Sequence, residues 1–169
     1  MPFRVPAVYQ HGITAGAIGA TAIAIWFLIV DTIAGRPFFT PLLLGDALIS
    51  VFDRRGTLPI ESAVGLIAFY TLFHYVAFAI AGLFIAVVLF VAETTPSILG
   101  GFFILFVVFE VASLGLVALL AQASELGSLA WYQLMAGNVA AALVMARYFW
   151  HIHPELRHTM EHALDGAEE

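Results

Sequence analysis

The sequence predicts an all-α integral membrane protein, a four-helix transmembrane bundle with an interfacial amphipathic helix between the first and second spans. Of the 169 residues, 62% are hydrophobic and 11% are charged, whereas a soluble domain carries about 25% charged residues. The apolar residues fall into discrete blocks, and four blocks exceed the roughly 20 helical residues that cross a hydrocarbon core. Because the bilayer interior offers no water to the backbone, each span is expected to be helical.

The predicted membrane domain covers residues 1–153, with an acidic, histidine-containing tail at 154–169. Its four spans are expected at residues 13–34, 62–92, 97–121 and 129–150. The second and third connections are short, so neighbouring helices should be antiparallel and both termini should lie on one side of the membrane. The first block is too long for the apolar region of a cleaved signal peptide and is expected to be retained.

The long connection between the first two spans predicts the interfacial helix, at about residues 41–53. Asp46, Ser50 and Asp53 recur at spacings of four and three, which places them on one helical face among apolar residues. Thr40 is the expected N-cap, with Pro41 at the first helical position. Such a helix is typical of the membrane interface, and a re-entrant hairpin is the alternative.

Small residues at helical spacing predict close helix packing, because small side chains let backbones approach each other in lipid. The first span carries Gly12, Gly16, Gly19 and Ala20, and the fourth carries Gly137 and Ala141. These faces are expected either to pack within the chain or to dock a second membrane subunit or another copy.

Glu110 is the most informative single residue, because a carboxyl group at bilayer depth costs about 2.5–3.5 kcal/mol and needs a partner or a use. Counted from the side of the long loop at 1.5 Å per residue, His74 lies about 18 Å deep, Glu110 about 16 Å and Asn138 about 14 Å. The sequence therefore predicts one intramembrane polar layer from three helices. The neighbouring polar residues assigned to it are Tyr70, Ser113, Gln133 and Asp31.

Three interpretations of this layer remain open. It can be a hydrogen-bonded cluster that fixes helix register, or a proton or cation relay of a small transporter or channel that uses Glu110 and His74. It can also bind the polar head of a quinone or lipid, with His74 or Asn138 donating to a carbonyl. Quinone, haem or a divalent metal are the candidate cofactors, and the sequence requires none of them.

A second candidate site lies near the C-terminus, where imidazole and carboxylate groups recur at short spacing. Such groups can bind Zn, Cu, Ni or Fe when one helical face carries them at spacings of three and four. The candidate metal ligands are His151, His153, Glu155, His158 and His162. The alternative is a solvated acidic tail whose histidines are incidental.

The sequence contains no nucleophile elbow, phosphate-binding loop, dinucleotide fingerprint or zinc-protease motif, so a catalytic role is not favoured. We expect a non-catalytic subunit or oligomerising module of a larger membrane complex, in a prokaryotic inner membrane with cytoplasmic termini. The expected partners are the lipid bilayer and other membrane subunits or further copies of the chain. Only six basic residues are present and they form no patch, so no nucleic acid is expected.

Overall fold

The structure of the chain, a computed structural model, describes residues 5–52, 60, 62–92 and 131–152. These residues form four helices, α1 (Val5–Ile33), α2 (Phe39–Phe52), α3 (Ala63–Ala92) and α4 (Trp131–Ile152). The all-helical prediction is confirmed for this part of the chain. The expected third span at 97–121 and the tail at 154–169 lie outside the described residues.

Two of the described helices are long and apolar enough to cross a membrane, over Val8–Ile33 in α1 and Ala63–Ala92 in α3. Helix α4 covers the expected fourth span but is not one of these two, because Gln133, Asn138 and Arg147 interrupt its apolar sequence. Helix α2 is apolar but shorter. The count of four spans therefore remains a prediction, although helices occupy three of the four expected positions.

Helix α1 begins at Val5, well before the apolar span expected from residue 13. Pro6 lies in its first turn, where the missing amide hydrogen breaks no helical hydrogen bond. The helix ends in a Schellman motif. The Gly35 amide donates to the Thr32 carbonyl at 3.0 Å and the Arg36 amide to the Asp31 carbonyl at 2.8 Å, while Gly35 adopts a φ of 70° that suits glycine.

Helix α1 lies between α3 and α4 and runs antiparallel to both. Gly12 approaches Leu83 and Gly16 approaches Phe78, so residue numbers decrease along α3 as they increase along α1. On its other side, Gly19 meets Met145 while Gly137 faces Trp26. The short connections after the expected second and third spans lie outside the described residues, so the directions predicted from them remain a prediction.

Two clusters of buried apolar residues hold these three helices together. The first joins Ala15 of α1 to Ala86 of α3 and to Met145 and Phe149 of α4. The second, nearer the start of α4, joins Ile23 and Phe27 of α1 to Ala141 of α4. Several of the buried residues are alanine or glycine, whose small side chains allow short distances between helices.

Helix α2 packs against α3 at Gly45, where an added Cβ would lie 2.6 Å from the Leu66 carbonyl oxygen. The helix begins at Phe39, so the predicted N-cap at Thr40 is wrong. The Leu42 amide bonds to the Phe38 carbonyl at 3.2 Å, which places the cap at Phe38. Asp46 and Ser50 are exposed as expected, whereas Asp53 lies outside the described residues.

Candidate functional site

The buried carboxylate of Asp31 joins the end of α1 to the beginning of α2. Its Oδ2 atom accepts a hydrogen bond from the Thr40 amide at 2.7 Å, and its Oδ1 atom accepts one from the Thr40 hydroxyl at 2.8 Å. Asp31 is 4% exposed and Thr40 is 1% exposed. A negative charge at a helix N-terminus is favourable because the free amides and the helix dipole point at it. Asp31 therefore acts as the cap that the sequence assigned to Thr40.

This contact depends on a tight turn between the two helices. Phe38 adopts a φ of 65°, a left-handed conformation that costs free energy in any residue with a Cβ. The Arg36 guanidinium lies 3.9 Å from the centre of the Phe39 ring, a cation–π contact that stabilises the same turn. The turn directs the first amides of α2 back toward Asp31.

His74 lies in the middle of α3 and bonds directly to α1. Its Nε2–H group donates to the Ala20 carbonyl oxygen at 3.2 Å. The imidazole stacks on the Tyr70 ring, with ring centres 5.5 Å apart and planes at 25°. Its centre also lies 4.8 Å from the centre of the Phe78 ring. Since Nε2 carries the proton, Nδ1 of the neutral ring is an acceptor.

A half-open cleft of about 220 Å³ lies between α1, α2 and α3. Its walls are mainly aliphatic and aromatic, with four polar side chains from α3 on one wall and the Asp31–Thr40 pair at the end where α1 meets α2. The lining residues are Ile23, Ala24, Ile25, Phe27, Leu28, Asp31, Phe38, Thr40, Pro41, Ile67, Tyr70, Thr71, His74 and Tyr75. We call this site the α1–α2–α3 cleft.

The cleft brings together three residues of the predicted polar layer, His74, Tyr70 and Asp31. Asn138 and Gln133 are not among its lining residues, because α4 packs on a different side of α1. Asn138 follows Gly137, which faces Trp26, whereas His74 bonds to Ala20. The two side chains therefore differ in level by about 9 Å along α1.

Gln133 contributes its backbone to the α1–α4 contact. The indole Nε1–H group of Trp26 donates to the Gln133 carbonyl oxygen at 2.9 Å, near the start of α4. Sequence reasoning assigned the Gln133 side chain to the layer and did not identify this bond, because every residue type carries a carbonyl.

Glu110 and Ser113 lie outside the described residues, so the proton or cation relay remains a prediction. Of the candidate metal ligands, the structure describes only His151, which is exposed at the end of α4. No cluster of three potential metal ligands occurs among the residues placed by the structure, and His153, Glu155, His158 and His162 lie beyond them. The metal site also stays a prediction.

The predicted small-residue faces lie at contacts within the chain. Gly12 and Gly16 face α3, Gly19 faces Met145 of α4, and Gly137 faces the Trp26 ring of α1. The remaining two, Ala20 and Ala141, are buried. These small residues were expected either to pack within the chain or to dock another subunit or copy. Their surroundings in the structure agree with packing within the chain.

Sequence reasoning also missed two polar contacts between side chains of different helices. The Tyr148 hydroxyl and His11 Nδ1 are 3.1 Å apart and link α4 to α1. The Thr21 hydroxyl donates to the Ala17 carbonyl at 2.8 Å and lies 2.9 Å from the Tyr75 hydroxyl of α3. Since Thr21 uses its proton on Ala17, Tyr75 is the donor in the second pair. The sequence could have suggested these residues only through their position within apolar helices.

Over residues 5–52, 62–92 and 131–152, these features define an all-helical fold with two helices apolar enough to span a membrane and a cleft that has one polar wall. Comparison with protein-family models, with curated proteins and with solved structures finds no match to the chain. Functional inference therefore rests on the chain's own geometry.

Proposed function

We propose that this chain is an integral membrane protein and a non-catalytic subunit or oligomerising module of a larger membrane complex. The observation that carries the proposal is the outward face of α3. Exposed apolar side chains recur there every three or four residues, and we call them the α3 ridge. The ridge consists of Leu72, Val76, Ile80, Phe84, Val87 and Val91.

The length of the α3 ridge matches a bilayer. From Leu72 to Val91 it extends about 29 Å at 1.5 Å per residue, close to the roughly 30 Å of a hydrocarbon core. Leu72 is 67% exposed and Ile80 is 65% exposed. A continuous apolar surface of this size is unfavourable in water and marks a membrane or protein contact. A helix that is apolar on its outer as well as its inner side suits lipid.

The placement of small side chains at internal contacts and of large apolar side chains on the α3 ridge supports assembly with another membrane chain. The glycine contacts of α1 are occupied by α3 and α4, so a further helix would meet the larger side chains of the α3 ridge. Aromatic and branched side chains such as Phe84 and Ile80 can interlock with a neighbouring helix, since van der Waals packing is a main source of helix association in lipid.

Membrane integration predicts that the chain stays with the membrane pellet after extraction with alkaline carbonate and enters solution only with detergent. Substituting Ile80 by aspartate should reduce membrane insertion, because an acidic group at the centre of a span costs about 2.5–3.5 kcal/mol. Asp46→Asn, at an exposed position of α2, provides a control that leaves insertion unchanged. Release of the unmodified chain by carbonate alone would contradict membrane integration.

Assembly predicts a stoichiometric complex when the chain is extracted gently from its own membrane and measured by native mass spectrometry. A photoreactive residue at Ile80 should then crosslink to a protein. The matched position is Leu143 of α4, which is also 65% exposed and should crosslink mainly to lipid. A bare monomer, together with lipid adducts alone at Ile80, would exclude the subunit role.

A further inference from the structure

We infer that the α1–α2–α3 cleft binds an uncharged, planar ring that carries carbonyl or hydroxyl oxygens and an apolar tail, the chemistry of a membrane quinone or quinol. The inference goes beyond the proposed assembly role, and the site is formed within one chain. Its test is therefore independent of whether a protein partner is found. Four features of the cleft carry it.

The first feature is the hydrogen-bonding capacity left on the polar wall. Thr71 donates its hydroxyl proton to the Ile67 carbonyl at 2.7 Å, and Tyr75 and His74 Nε2–H donate to α1. The Tyr70 hydroxyl and His74 Nδ1 form no hydrogen bond with any residue in the described part of the chain. One donor and one acceptor on stacked rings suit an oxygen-bearing ring, since a carbonyl accepts and a hydroxyl does both.

The second feature is the shape and lining of the cleft. Phe27, Phe38, Tyr70, His74 and Tyr75 contribute five rings to its walls, and aromatic surfaces favour offset or edge contacts with another ring. A volume of about 220 Å³ is below the roughly 300 Å³ at which pockets for drug-sized ligands begin. A single substituted ring fits such a space, whereas a haem does not, and the open side leaves an exit for an apolar tail.

The third feature is charge. Among the described residues that line the cleft there is no arginine or lysine, and the one acidic group, Asp31, is already bonded twice to Thr40. A phosphate-bearing headgroup would meet that carboxylate with no arginine or lysine among these lining residues to offset it, and like charges in a site of low dielectric repel strongly. The cleft therefore favours a neutral head over an anionic phospholipid.

The fourth feature is the conformation of Phe38. A left-handed φ in a bulky residue is retained only where the surroundings hold it, and such residues concentrate at binding sites. Phe38 lines the cleft and lies in the turn that Asp31 fixes through Thr40. The turn thus places an aromatic ring at the α1–α2 end of the cleft, next to the space that a ligand ring would occupy.

The test uses the full chain in mild detergent, with decylubiquinone as the probe and quenching of tryptophan fluorescence as the readout. Trp26 reports on the site from the adjacent side of α1, because Ile25 and Phe27 on either side of it line the cleft while its own indole faces α4. Trp131 and Trp150 are replaced by phenylalanine to leave one reporter. We expect saturable quenching, and decylbenzene, which lacks the oxygens, should fail to displace the quinone.

Three variants locate the binding. Ala24→Phe fills the cleft from an exposed position and should abolish saturable quenching. Tyr70→Phe keeps the ring, removes one hydrogen bond and should weaken binding about two- to tenfold. Tyr132→Phe is the matched control, because it makes the same change at an exposed tyrosine of α4 that is not among the lining residues, and binding should be unchanged.

Non-specific partitioning of the quinone into detergent is the same for all variants, so only differences between them report on the cleft. Circular dichroism and gel filtration confirm that each variant is folded. Equal quenching in folded Ala24→Phe and in the parent chain would overturn the inference. If Tyr70→Phe bound decylubiquinone as tightly as the parent chain does, or if decylbenzene displaced the quinone, the cleft would not recognise the ring oxygens. Either result would also overturn the inference.

Discussion

Substituting Gly16 by alanine is expected to separate α1 from α3 and to lower the free energy of unfolding by about 1–3 kcal/mol. An added Cβ at Gly16 would lie 2.8 Å from Ala79 Cα, an approach that requires the α3 backbone to move. Gly82→Ala should have a similar effect from the other helix, because its Cβ would lie 2.9 Å from Gly16 Cα. Thermal unfolding in mild detergent measures both.

The effect should extend beyond the glycine contact. Withdrawal of α3 also lengthens the His74–Ala20 bond and the Thr21–Tyr75 bond, which connect the same two helices. In lipid, helices gain little from burying apolar surface against each other, so close backbone approach carries much of the association.

Gly65→Ala is the matched control for the two glycine variants. Gly65 lies in the first turn of α3, where among the described residues a Cβ would meet no backbone but the side chains of Ile60 and Ser62, each at 3.0 Å, and the Ser62 hydroxyl accepts a bond from the Gly65 amide. Alanine there should be neutral or stabilise the helix by about 0.5–1 kcal/mol. Destabilisation by Gly65→Ala that equals that of Gly16→Ala would mean that the α1–α3 contact is not the cause.

Hydropathy and small-residue spacing predicted the helices and the residues of their contacts, but not which helix each glycine meets. Gly12 and Gly19 lie on one helix, yet Gly12 faces Leu83 of α3 whereas Gly19 faces both Met145 of α4 and Phe78 of α3. A single sequence gives the periodicity of a face and leaves its partner open, because any helix with small residues satisfies the same packing requirement.

The candidate site was predicted in part. His74, Tyr70 and Asp31 were expected in one polar layer, and all three line the α1–α2–α3 cleft. Depth counting also assigned Asn138 to the layer, but depth fixes only the level along a helix. The side of α1 on which each helix packs depends on tertiary contacts, and α4 carries Asn138 away from the cleft.

The role of Asp31 could not be derived from the sequence, because its partner depends on the backbone of the turn. Thr-Pro at residues 40 and 41 is a common helix start, and threonine is a frequent N-cap. Here the left-handed conformation of Phe38 starts the helix earlier. Thr40 then lies in the first turn, where its amide and hydroxyl both require an acceptor that only a distant residue supplies.

Removing the carboxylate in Asp31→Ala should release α2 from the end of α1. Two donors on Thr40, which is 1% exposed, would lose their acceptors. A hydrogen bond to a charged group contributes about 1.5–3 kcal/mol. For the two bonds together we expect the free energy of opening the start of α2 to fall by about 3 kcal/mol. Since about 1.4 kcal/mol is a factor of ten, amide hydrogen exchange in the first turn of α2 should accelerate about a hundredfold.

The pattern of exchange distinguishes loss of this cap from general unfolding. Faster exchange should be confined to the start of α2 and the preceding turn, because the Ala15–Met145 cluster that joins α1, α3 and α4 does not include α2. Asp31→Asn keeps one acceptor oxygen and should cause a smaller increase. Asp46→Ala removes an exposed acidic side chain from α2 itself and should leave amide exchange in α2 unchanged. If Asp31→Ala and Asp46→Ala accelerate α2 equally, net charge rather than the bonds to Thr40 holds the helix in place.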